Sequence, residues 1–272
     1  MRPEYPESLQ STEQKELINR RILVKIGSSS LVKDRKPDEA VNISTLESIA
    51  RALSMHIDHG GEAIIVTSGA VASGKWLSKM RGLTHEEMSK QFYACIGQGI
   101  LIQSWIDAFE KFDKIAGQIL VTDRDINEIL NLISEMTRAG TIPIINANDA
   151  IDVQELDALS ISQDNDRLAT HIAQQVECNA TIYLTNVDGV LDANLECIRD
   201  GSLIDLTSVS AEKSAEGTGG MYSKVQMAQS LAAHNVHGVI AHVKNTQVID
   251  QVANGDYATI HGTVFRANEL SL

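Results

Sequence analysis

From Arg21 onward, short runs of apolar and β-branched residues alternate with longer stretches of helical periodicity, and this alternation strongly constrains the fold. Parallel strands need a crossover connection of about a dozen residues or more, usually an α-helix, and such sheets are covered by helices on both faces. We therefore predict a three-layer α-β-α sandwich with a mostly parallel central sheet. Strands are predicted at 21–26, 63–66, 118–121, 142–145, 181–184 and 238–241, with a closing run at 259–265. Helices are predicted at 46–57, 86–109, 126–139, 168–176, 222–234 and 246–253.

The 272 residues are a length that α/β proteins often fold as one domain. Neither an internal repeat nor a low-complexity linker divides the sequence. We expect an N-terminal extension at 1–20 and a single two-lobed domain at 21–272, with lobes at about 21–175 and 176–268.

Polar and small residues follow four of the predicted strands. In sheets of this kind ligands bind at the carboxyl ends of the strands, so these residues are expected to line one functional edge. The long, glycine-poor connection at 151–163 is interpreted as a mobile loop. The four polar clusters are 27–30, 67–69, 146–149 and 185–189.

The formal net charge is −13, from 36 acidic and 23 basic side chains. A protein whose main task is to bind nucleic acid is expected to carry a basic surface, so the charge argues against that class. A phosphorylated ligand is not excluded, because a few lysines and backbone amides can bind a nucleotide within an acidic protein.

No stretch of the sequence approaches the roughly 18 consecutive apolar residues of a membrane span, so no membrane partner is expected. The polar N-terminus lacks the apolar centre of a secretory signal. Three widely spaced cysteines fit neither a disulfide framework nor a zinc site. These features favour a reduced, cytoplasmic protein without metal ligands, in which Cys95, Cys178 and Cys197 are packing residues and His56 and His59 are surface residues.

Two segments have the composition of a phosphate site. Lys25 lies near the end of the first predicted strand and is followed by a turn containing Gly27 and Ser28. A cation next to unhindered backbone amides can bind phosphate oxygens, especially where a helix begins. The glycine-rich segment 217–220 precedes Lys224 and offers the same chemistry. The alternatives are an ordinary turn in the first case and a linker with a solvated lysine in the second.

The segment 69–76 (GAVASGKW) closely resembles the P-loop pattern, which binds phosphates through backbone amides and a lysine. The last position of a P-loop must be Ser or Thr, whose hydroxyl binds Mg²⁺, and here it is Trp76. We therefore reject a P-loop. The preceding residues 67–69 (TSG) offer a hydroxyl and amides suited to a carboxylate.

Two clusters of amides and carboxylates, 146–149 (NAND) and 164–166 (DND), bracket one connection. Together they can orient the amine and the carboxylate of a polar substrate. Asx turns and a helix cap are the structural alternative, because Asn and Asp are preferred in both.

The order of these segments is more specific than any one of them. Along the chain they read VKIGSSSL (24–31), IIVTSGAVASGK (64–75), GQGILIQSW (97–105), IPIINANDA (142–150), DNDRLA (164–169), LTNVDGVL (184–191), GTGGMYSKVQMA (217–228) and HGTVF (261–265). This running order, which covers residues 21–265, resembles the amino-acid kinase family. Within that family it is similar to the glutamate 5-kinases and to the kinase half of pyrroline-5-carboxylate synthase.

The resemblance implies the amino-acid kinase fold and transfer of the ATP γ-phosphoryl group to the side-chain carboxylate of glutamate, giving glutamyl 5-phosphate for proline biosynthesis. It implies that Lys25 and Lys224 neutralise the transferring group and that Asp166 holds both lysines in position. Mg²⁺ would be held mainly by the nucleotide phosphates. The implied glutamate-binding residues are Ser68, Asp149, Asn165 and Asp166, and the implied nucleotide-binding residues are Lys25, Gly27, Ser28, Thr185, Asn186, Gly219, Gly220 and Lys224.

The resemblance also implies that the two lobes bind different substrates and that the protein forms an oligomer. The lobe at about 21–175 would bind the amino acid, and the lobe at about 176–268 would bind ATP. A homo-oligomer, either a dimer or a tetramer, and feedback inhibition by proline are expected.

Several features depart from the family pattern. Ala147 stands where glutamate is usual, and the segment 122–143 is short and lacks an arginine-rich stretch. The sequence ends soon after 261–265, so the C-terminal PUA domain of many bacterial members is expected to be absent. Two alternative functions remain: a kinase of the same fold acting on another amino acid or carboxylate, and a nucleotide-binding regulator without catalysis.

Overall fold

The computed structural model describes residues 20–32, 34–83, 88–151, 164–209 and 220–267. Within these residues seven strands form one sheet. They are β1 (Arg21–Ile26), β2 (Glu62–Thr67), β3 (Ala116–Val121), β4 (Ile142–Ala147), β5 (Ala180–Thr185), β6 (His237–His242) and β7 (Gly262–Phe265).

The strand order is β3-β4-β2-β1-β5-β6-β7. Neighbouring strands are parallel, except that β6 and β7 are antiparallel. The prediction of a mostly parallel sheet is therefore confirmed. Strand β1 lies between β2 and β5, so its carboxyl end is at the centre of the edge where such sheets bind ligands.

Helices cover both faces of the sheet. They are α1 (Ser28–Val32), α2 (Ile43–Asp58), α3 (Ala70–Met80), α4 (Lys90–Glu110), α5 (Ile129–Arg138), α6 (Asn165–Gln175), α7 (Met221–Ala233) and α8 (Gln247–Ala253). One apolar cluster packs α2, α4 and α8 on one face, and a second packs α5, α6 and α7 on the other. This is the predicted three-layer sandwich. Among the described residues, no helix has both the length and the apolar character needed to cross a membrane.

The register of β1 determines which face receives Lys25. Lys25 lies beside Val66 of β2 and Tyr183 of β5, and residues in register on parallel strands point to the same face. Val66 and Tyr183 belong to the apolar cluster that packs α6 and α7. Lys25 therefore points toward the helices that carry the other predicted catalytic residues.

The interpretation of 27–30 as a turn is wrong, because α1 begins at Ser28. The carbonyl oxygen of Gly27 accepts hydrogen bonds from the amides of Ser30 and Leu31 at 3.1 and 3.2 Å. Leu31 is fully buried. Its apolar side chain packs in the core and stabilises a helical turn, whereas the run of serines alone indicated a non-helical turn.

Helices α3 and α4 approach each other through two glycines. A Cβ at Gly74 would lie 1.9 Å from the Tyr93 carbonyl oxygen, and one at Gly97 would lie 2.0 Å from the Ala70 carbonyl oxygen. No side chain can occupy these positions without separating the helices. Gly74 of the P-loop-like segment therefore has a packing role.

Gly97→Ala is expected to lower the free energy of unfolding by about 2–3 kcal/mol, because the added methyl group forces α3 and α4 apart. Gly99→Ala on the same helix is the matched control, since a Cβ there meets no atom within 4 Å. The control is expected to raise the free energy of unfolding by up to about 1 kcal/mol, because alanine has the higher helix propensity. Urea unfolding measures both changes, and equal effects at the two positions would contradict the close packing.

Two predictions of burial are wrong. His56, expected at the surface, is only 2% exposed, and its Nε2 lies 2.8 Å from the Arg20 carbonyl oxygen. Burial lowers the pKa of His56. Cys95, expected to pack in the core, is exposed, because consecutive positions of a helix face different directions and Ala94 takes the buried one. Cys178 is buried as expected, which raises the pKa of its thiol to about 12.

Candidate active site

Lys25 and Lys224 meet at the carboxylate of Asp166. Asp166 lies in the first turn of α6 and is fully buried. Lys25, near the end of β1, forms an ion pair with Oδ1 of Asp166. The Nζ atom of Lys224, in the first turn of α7, donates to Oδ2 at 3.0 Å. The structure thus brings the three predicted catalytic residues together in one lysine–aspartate cluster (Lys25, Asp166 and Lys224).

Electrostatics keep the carboxyl group of this cluster ionised. Burial by itself would raise the pKa of Asp166, but the charges of Lys25 and Lys224 and their hydrogen bonds outweigh burial and lower it. Two ammonium groups surround one carboxylate, so the cluster has an excess of positive charge. It is suited to an anionic group that approaches from the strand ends.

Asp164 connects α6 to α7. It is the N-cap of α6, and its Oδ1 accepts from the backbone amide of Asp166 at 2.9 Å. Its Oδ2 accepts from the hydroxyl of Ser223 at 3.1 Å. Ser223 precedes Lys224, so this bond contributes to the placement of that lysine. The sequence placed Asp164 in the 164–166 cluster, with a helix cap as the structural alternative, and the structure shows the cap. Ser223 had no predicted role, although it precedes Lys224.

A chain of amide side chains lies beside the lysine–aspartate cluster. The Nδ2 atom of Asn165 lies 2.6 Å from the Ser68 hydroxyl oxygen and 3.3 Å from Oδ1 of Asn146. The same Nδ2 lies 3.3 Å from the carbonyl oxygen of Thr67. Asn146 in turn donates from its Nδ2 to Oε1 of Gln98 at 2.9 Å. We call Gln98, Asn146 and Asn165 the amide chain.

The amide chain links Asn165, a predicted glutamate-binding residue, to Asn146 of the predicted 146–149 cluster and to Gln98. Ser68 and Asn165 are in direct contact, as expected for residues of one subsite. Asn146 was predicted only as part of the 146–149 cluster, and Gln98 had no predicted role, although it occurs in a motif that carries the family resemblance. Within the described part of the chain, the Oδ1 atom of Asn165 is buried and has no hydrogen-bond partner.

Asp149 lies in the turn that follows β4, at the same edge of the sheet. Its backbone amide donates to the carbonyl oxygen of Ala147 at 3.0 Å. The backbone amide of Asn148 donates to the carbonyl oxygen of Val121 at 2.8 Å. The predicted mobile loop at 151–163 lies outside the described residues beyond Ile151.

Three of the predicted nucleotide-binding residues lie near the lysines of the cluster, along the chain or in space. A Cβ at Gly27 would lie 3.7 Å from the Nζ of Lys25, so the Gly27 backbone is next to that ammonium group. Ser28 is the first residue of α1. Gly220 is the N-cap of α7, whereas Gly219 lies outside the described residues.

Thr185 and Asn186 follow the carboxyl end of β5. Thr185 is its last residue, and its carbonyl oxygen accepts from the amide of Val243 at 2.7 Å. The Oδ1 atom of Asn186 is buried, and no residue in the described ranges forms a hydrogen bond with it. A buried acceptor of this kind is costly unless a donor reaches it, so it is a candidate contact for a ligand.

The P-loop-like segment forms a helix. Its residues from Ala70 onward belong to α3, and Gly69, with φ of 123°, is the residue before it. The Nζ of Lys75 lies 5.7 Å from the centre of the Tyr93 ring, a cation–π distance on the surface. The rejection of a P-loop therefore agrees with the local structure.

Lys75→Ala is expected to leave turnover and the KM for ATP within about twofold of the wild-type values, because an exposed cation–π contact contributes only about 0.5–1 kcal/mol to stability. Steady-state kinetics with ATP as the varied substrate measure this. A loss of ATP turnover comparable to that of a P-loop lysine variant would contradict the helical assignment.

Among the described residues, no group of three or more His, Cys, Asp or Glu side chains is arranged to hold a metal ion. The buried carboxylate of Asp166 is already paired with two lysines. A magnesium ion at this edge would fit best as a companion of nucleotide phosphates, since Mg²⁺ is commonly held by one or two carboxylates together with substrate phosphates and water.

Comparison with known proteins identifies the family of the chain. The model of the amino acid kinase family matches residues 20–242. A glutamate 5-kinase from Clostridium acetobutylicum is 30% identical over 271 residues, which cover 94% of this chain and 98% of that protein. A glutamate 5-kinase from a Thermoanaerobacter species is 32% identical over 251 residues, covering 87% of this chain. This chain spans 66% of the length of that second relative.

Solved structures support the fold at lower identity. A carbamate kinase from Giardia lamblia bound to AMP-PNP superimposes with a TM-score of 0.64 and 12% identity, covering 92% of this chain and 99% of that one. An isopentenyl phosphate kinase from T. acidophilum gives a TM-score of 0.59 with 18% identity, covering 90% and 100%. The expected fold is confirmed, and the chain belongs to the amino acid kinase family.

Proposed function

We propose that the protein transfers the γ-phosphoryl group of ATP to the side-chain carboxylate of glutamate, forming ADP and glutamyl 5-phosphate. The observation that carries this proposal is the lysine–aspartate cluster, in which two ammonium groups meet at a fully buried carboxylate at the centre of the strand edge. The glutamate 5-kinases that are similar over most of the chain support the choice of substrate.

The proposed reaction needs no general base, because the attacking carboxylate is already ionised. Its oxygen forms a bond to the γ-phosphorus while the bond from that phosphorus to the β,γ-bridging oxygen breaks, and ADP leaves with that electron pair. Catalysis then depends on alignment and on stabilising the negative charge of the transferring group. Lys25 and Lys224 supply the charge, and Asp166 holds both ammonium groups in place.

Glutamate binds, in this proposal, to the residues of the 21–175 lobe. Ser68 and Asn165 are in hydrogen-bond contact, Asp149 lies in the turn after β4 at the same edge, and Asp166 adjoins them. ATP binds mainly to the 176–268 lobe and to the start of α1, through Gly27, Ser28, Thr185, Asn186, Gly219 and Gly220, with Lys25 and Lys224 at its γ-phosphate. Mg²⁺ is held mainly by the phosphates and supplies further charge neutralisation there.

The finer biological setting follows from the resemblance. We propose that the protein is a cytoplasmic homo-oligomer that serves proline biosynthesis and is inhibited by proline.

A panel of acceptors tests the proposed substrate. The protein is incubated with ATP, Mg²⁺ and hydroxylamine, which converts an acyl phosphate to a stable hydroxamate, and with glutamate, aspartate, N-acetylglutamate or glutarate as acceptor. We expect the highest kcat/KM with glutamate. A kinase for another acid is the second candidate, because Ala147 is buried where the family pattern has a glutamate. Faster hydroxamate formation with any other acid would favour it and overturn the assignment of glutamate.

A further inference from the structure

Helix α4 places the amide side chain of Gln98 at the strand edge. Gln98 follows Gly97, the position at which α4 touches the Ala70 carbonyl of α3. This close approach fixes the backbone of Gln98 relative to α3. Its Oε1 accepts from Nδ2 of Asn146, which is 1% exposed. The roles proposed above make no use of Gln98.

The hydrogen bonds of the amide chain run in one direction. A primary amide donates through its nitrogen and accepts through its oxygen, so engaging one atom determines where the other points. Asn146 uses its Nδ2 toward Gln98, and its Oδ1 therefore faces Asn165. Asn165 uses its Nδ2 toward Asn146, Ser68 and the carbonyl oxygen of Thr67.

The amide chain ends at a buried oxygen to which no described residue donates a hydrogen bond. Because Nδ2 of Asn165 is occupied, its Oδ1 is the remaining polar atom, and this buried oxygen has no hydrogen-bond partner among the residues that the structure describes. Leaving such an oxygen unpartnered is unfavourable, so a ligand that brings an N–H donor gains affinity there. An ammonium group is a strong donor for this purpose.

We propose that Gln98 is a positioning residue that fixes the orientation of the amide chain, so that Oδ1 of Asn165 accepts a hydrogen bond from the α-ammonium group of the acceptor substrate. This inference rests on the proposed function and names the selectivity of that site: α-amino dicarboxylates over dicarboxylates without the amino group. Without Gln98, Asn146 can reverse its amide and present Nδ2 to Asn165. The Asn165 amide then loses one of the acceptors that hold its own Nδ2.

Two variants of Gln98 distinguish the effect of its acceptor oxygen from the effect of its side-chain volume. Gln98→Met keeps the unbranched shape but removes the acceptor oxygen, whereas Gln98→Glu keeps an acceptor for Nδ2 of Asn146. For each protein the KM for glutamate is measured together with the inhibition constant of glutarate, a competitor that lacks the ammonium group. The KM for glutamate divided by the inhibition constant of glutarate reports the contribution of the ammonium group, and a higher ratio means a weaker contribution.

In Gln98→Met we expect this ratio to rise about tenfold, with kcat within about threefold and the KM for ATP unchanged, because only a contact to the ammonium group is weakened. In Gln98→Glu we expect the ratio to remain within about threefold of the wild-type value. A merely structural role would change both constants together. An unchanged ratio in Gln98→Met, or the same ratio in both variants, overturns the role of Gln98. Absence of glutamate turnover by the wild-type protein overturns the proposed function as well, so the two failures are distinguishable.

Discussion

Lys224→Ala is expected to lower kcat for glutamate phosphorylation by about 10²–10³-fold while the KM for glutamate changes by less than about threefold. The ammonium group of Lys224 lies 3.0 Å from Oδ2 of Asp166, at the start of α7. In the proposed reaction it stabilises charge that develops mainly in the transition state, and such interactions affect turnover more than ground-state binding. Initial rates of hydroxamate formation, with glutamate and ATP varied in turn, measure both constants.

Lys25→Ala is expected to have an effect of the same kind, because Lys25 pairs with the other oxygen of the same carboxylate. Lys75→Ala is the matched control: it also removes a lysine charge, but from the exposed surface of α3. Unchanged turnover in Lys224→Ala, or an equal loss in Lys75→Ala, would contradict the catalytic role of the lysine–aspartate cluster.

Asp166→Asn is expected to abolish detectable turnover and to lower the free energy of unfolding by about 3–5 kcal/mol. The substitution keeps the shape of the side chain but leaves two ammonium groups near one another without a counter-charge. Asp58→Asn is the control, since Asp58 pairs with Lys114 at the surface, where a pair contributes about 0–1 kcal/mol. Urea unfolding at pH 7 measures both, and a loss no larger for Asp166→Asn than for Asp58→Asn would contradict the energetic role of the cluster.

The loss of stability in Asp166→Asn is expected to depend on pH, and the pKa of Asp166 determines the direction of that dependence. Lys25 and Lys224 lower the pKa of Asp166 against the effect of burial, so the ionised carboxylate stabilises the folded protein. That contribution is present above the ordinary aspartate pKa of about 4 and is lost as the pH falls from there through the lowered value. The difference in unfolding free energy between wild type and Asp166→Asn is therefore expected to stay constant from pH 7 to about pH 5 and to shrink below about pH 4. A difference that grew on acidification would contradict the pairing.

Much of this architecture could be predicted from the pattern of apolar residues. Strands such as β2 and β4 are buried along their whole length, and a continuous apolar run is the signature of a strand covered on both faces. The spacing of those runs required crossover helices and therefore parallel pairing. The apolar pattern alone did not predict that Lys25, Asp166 and Lys224 meet at one edge of the sheet. That prediction needed the family resemblance as well.

The features that were missed depend on tertiary contacts. Gly74 resembled part of a phosphate loop, and its actual role became apparent only from the 1.9 Å separation that a Cβ would have from the Tyr93 carbonyl oxygen. Gln98 and Asn146 are far apart along the chain, and the donor and acceptor atoms of an amide have no signature in a sequence. His56 is buried because its ring contacts the Arg20 carbonyl oxygen, a partner that helical periodicity cannot reveal.

The transfer of an oxygen atom tests the central claim most directly. Glutamate carrying ¹⁸O at both oxygens of its side-chain carboxylate is incubated with the protein, ATP, Mg²⁺ and hydroxylamine, and the released phosphate is analysed by mass spectrometry. If the carboxylate attacks the γ-phosphorus, the bridging oxygen of glutamyl 5-phosphate comes from glutamate, and attack of hydroxylamine on the acyl carbon leaves that atom in the phosphate. We predict one ¹⁸O atom per phosphate formed. Phosphate without the label, released from ATP at a rate independent of glutamate, would contradict phosphoryl transfer to the glutamate carboxylate.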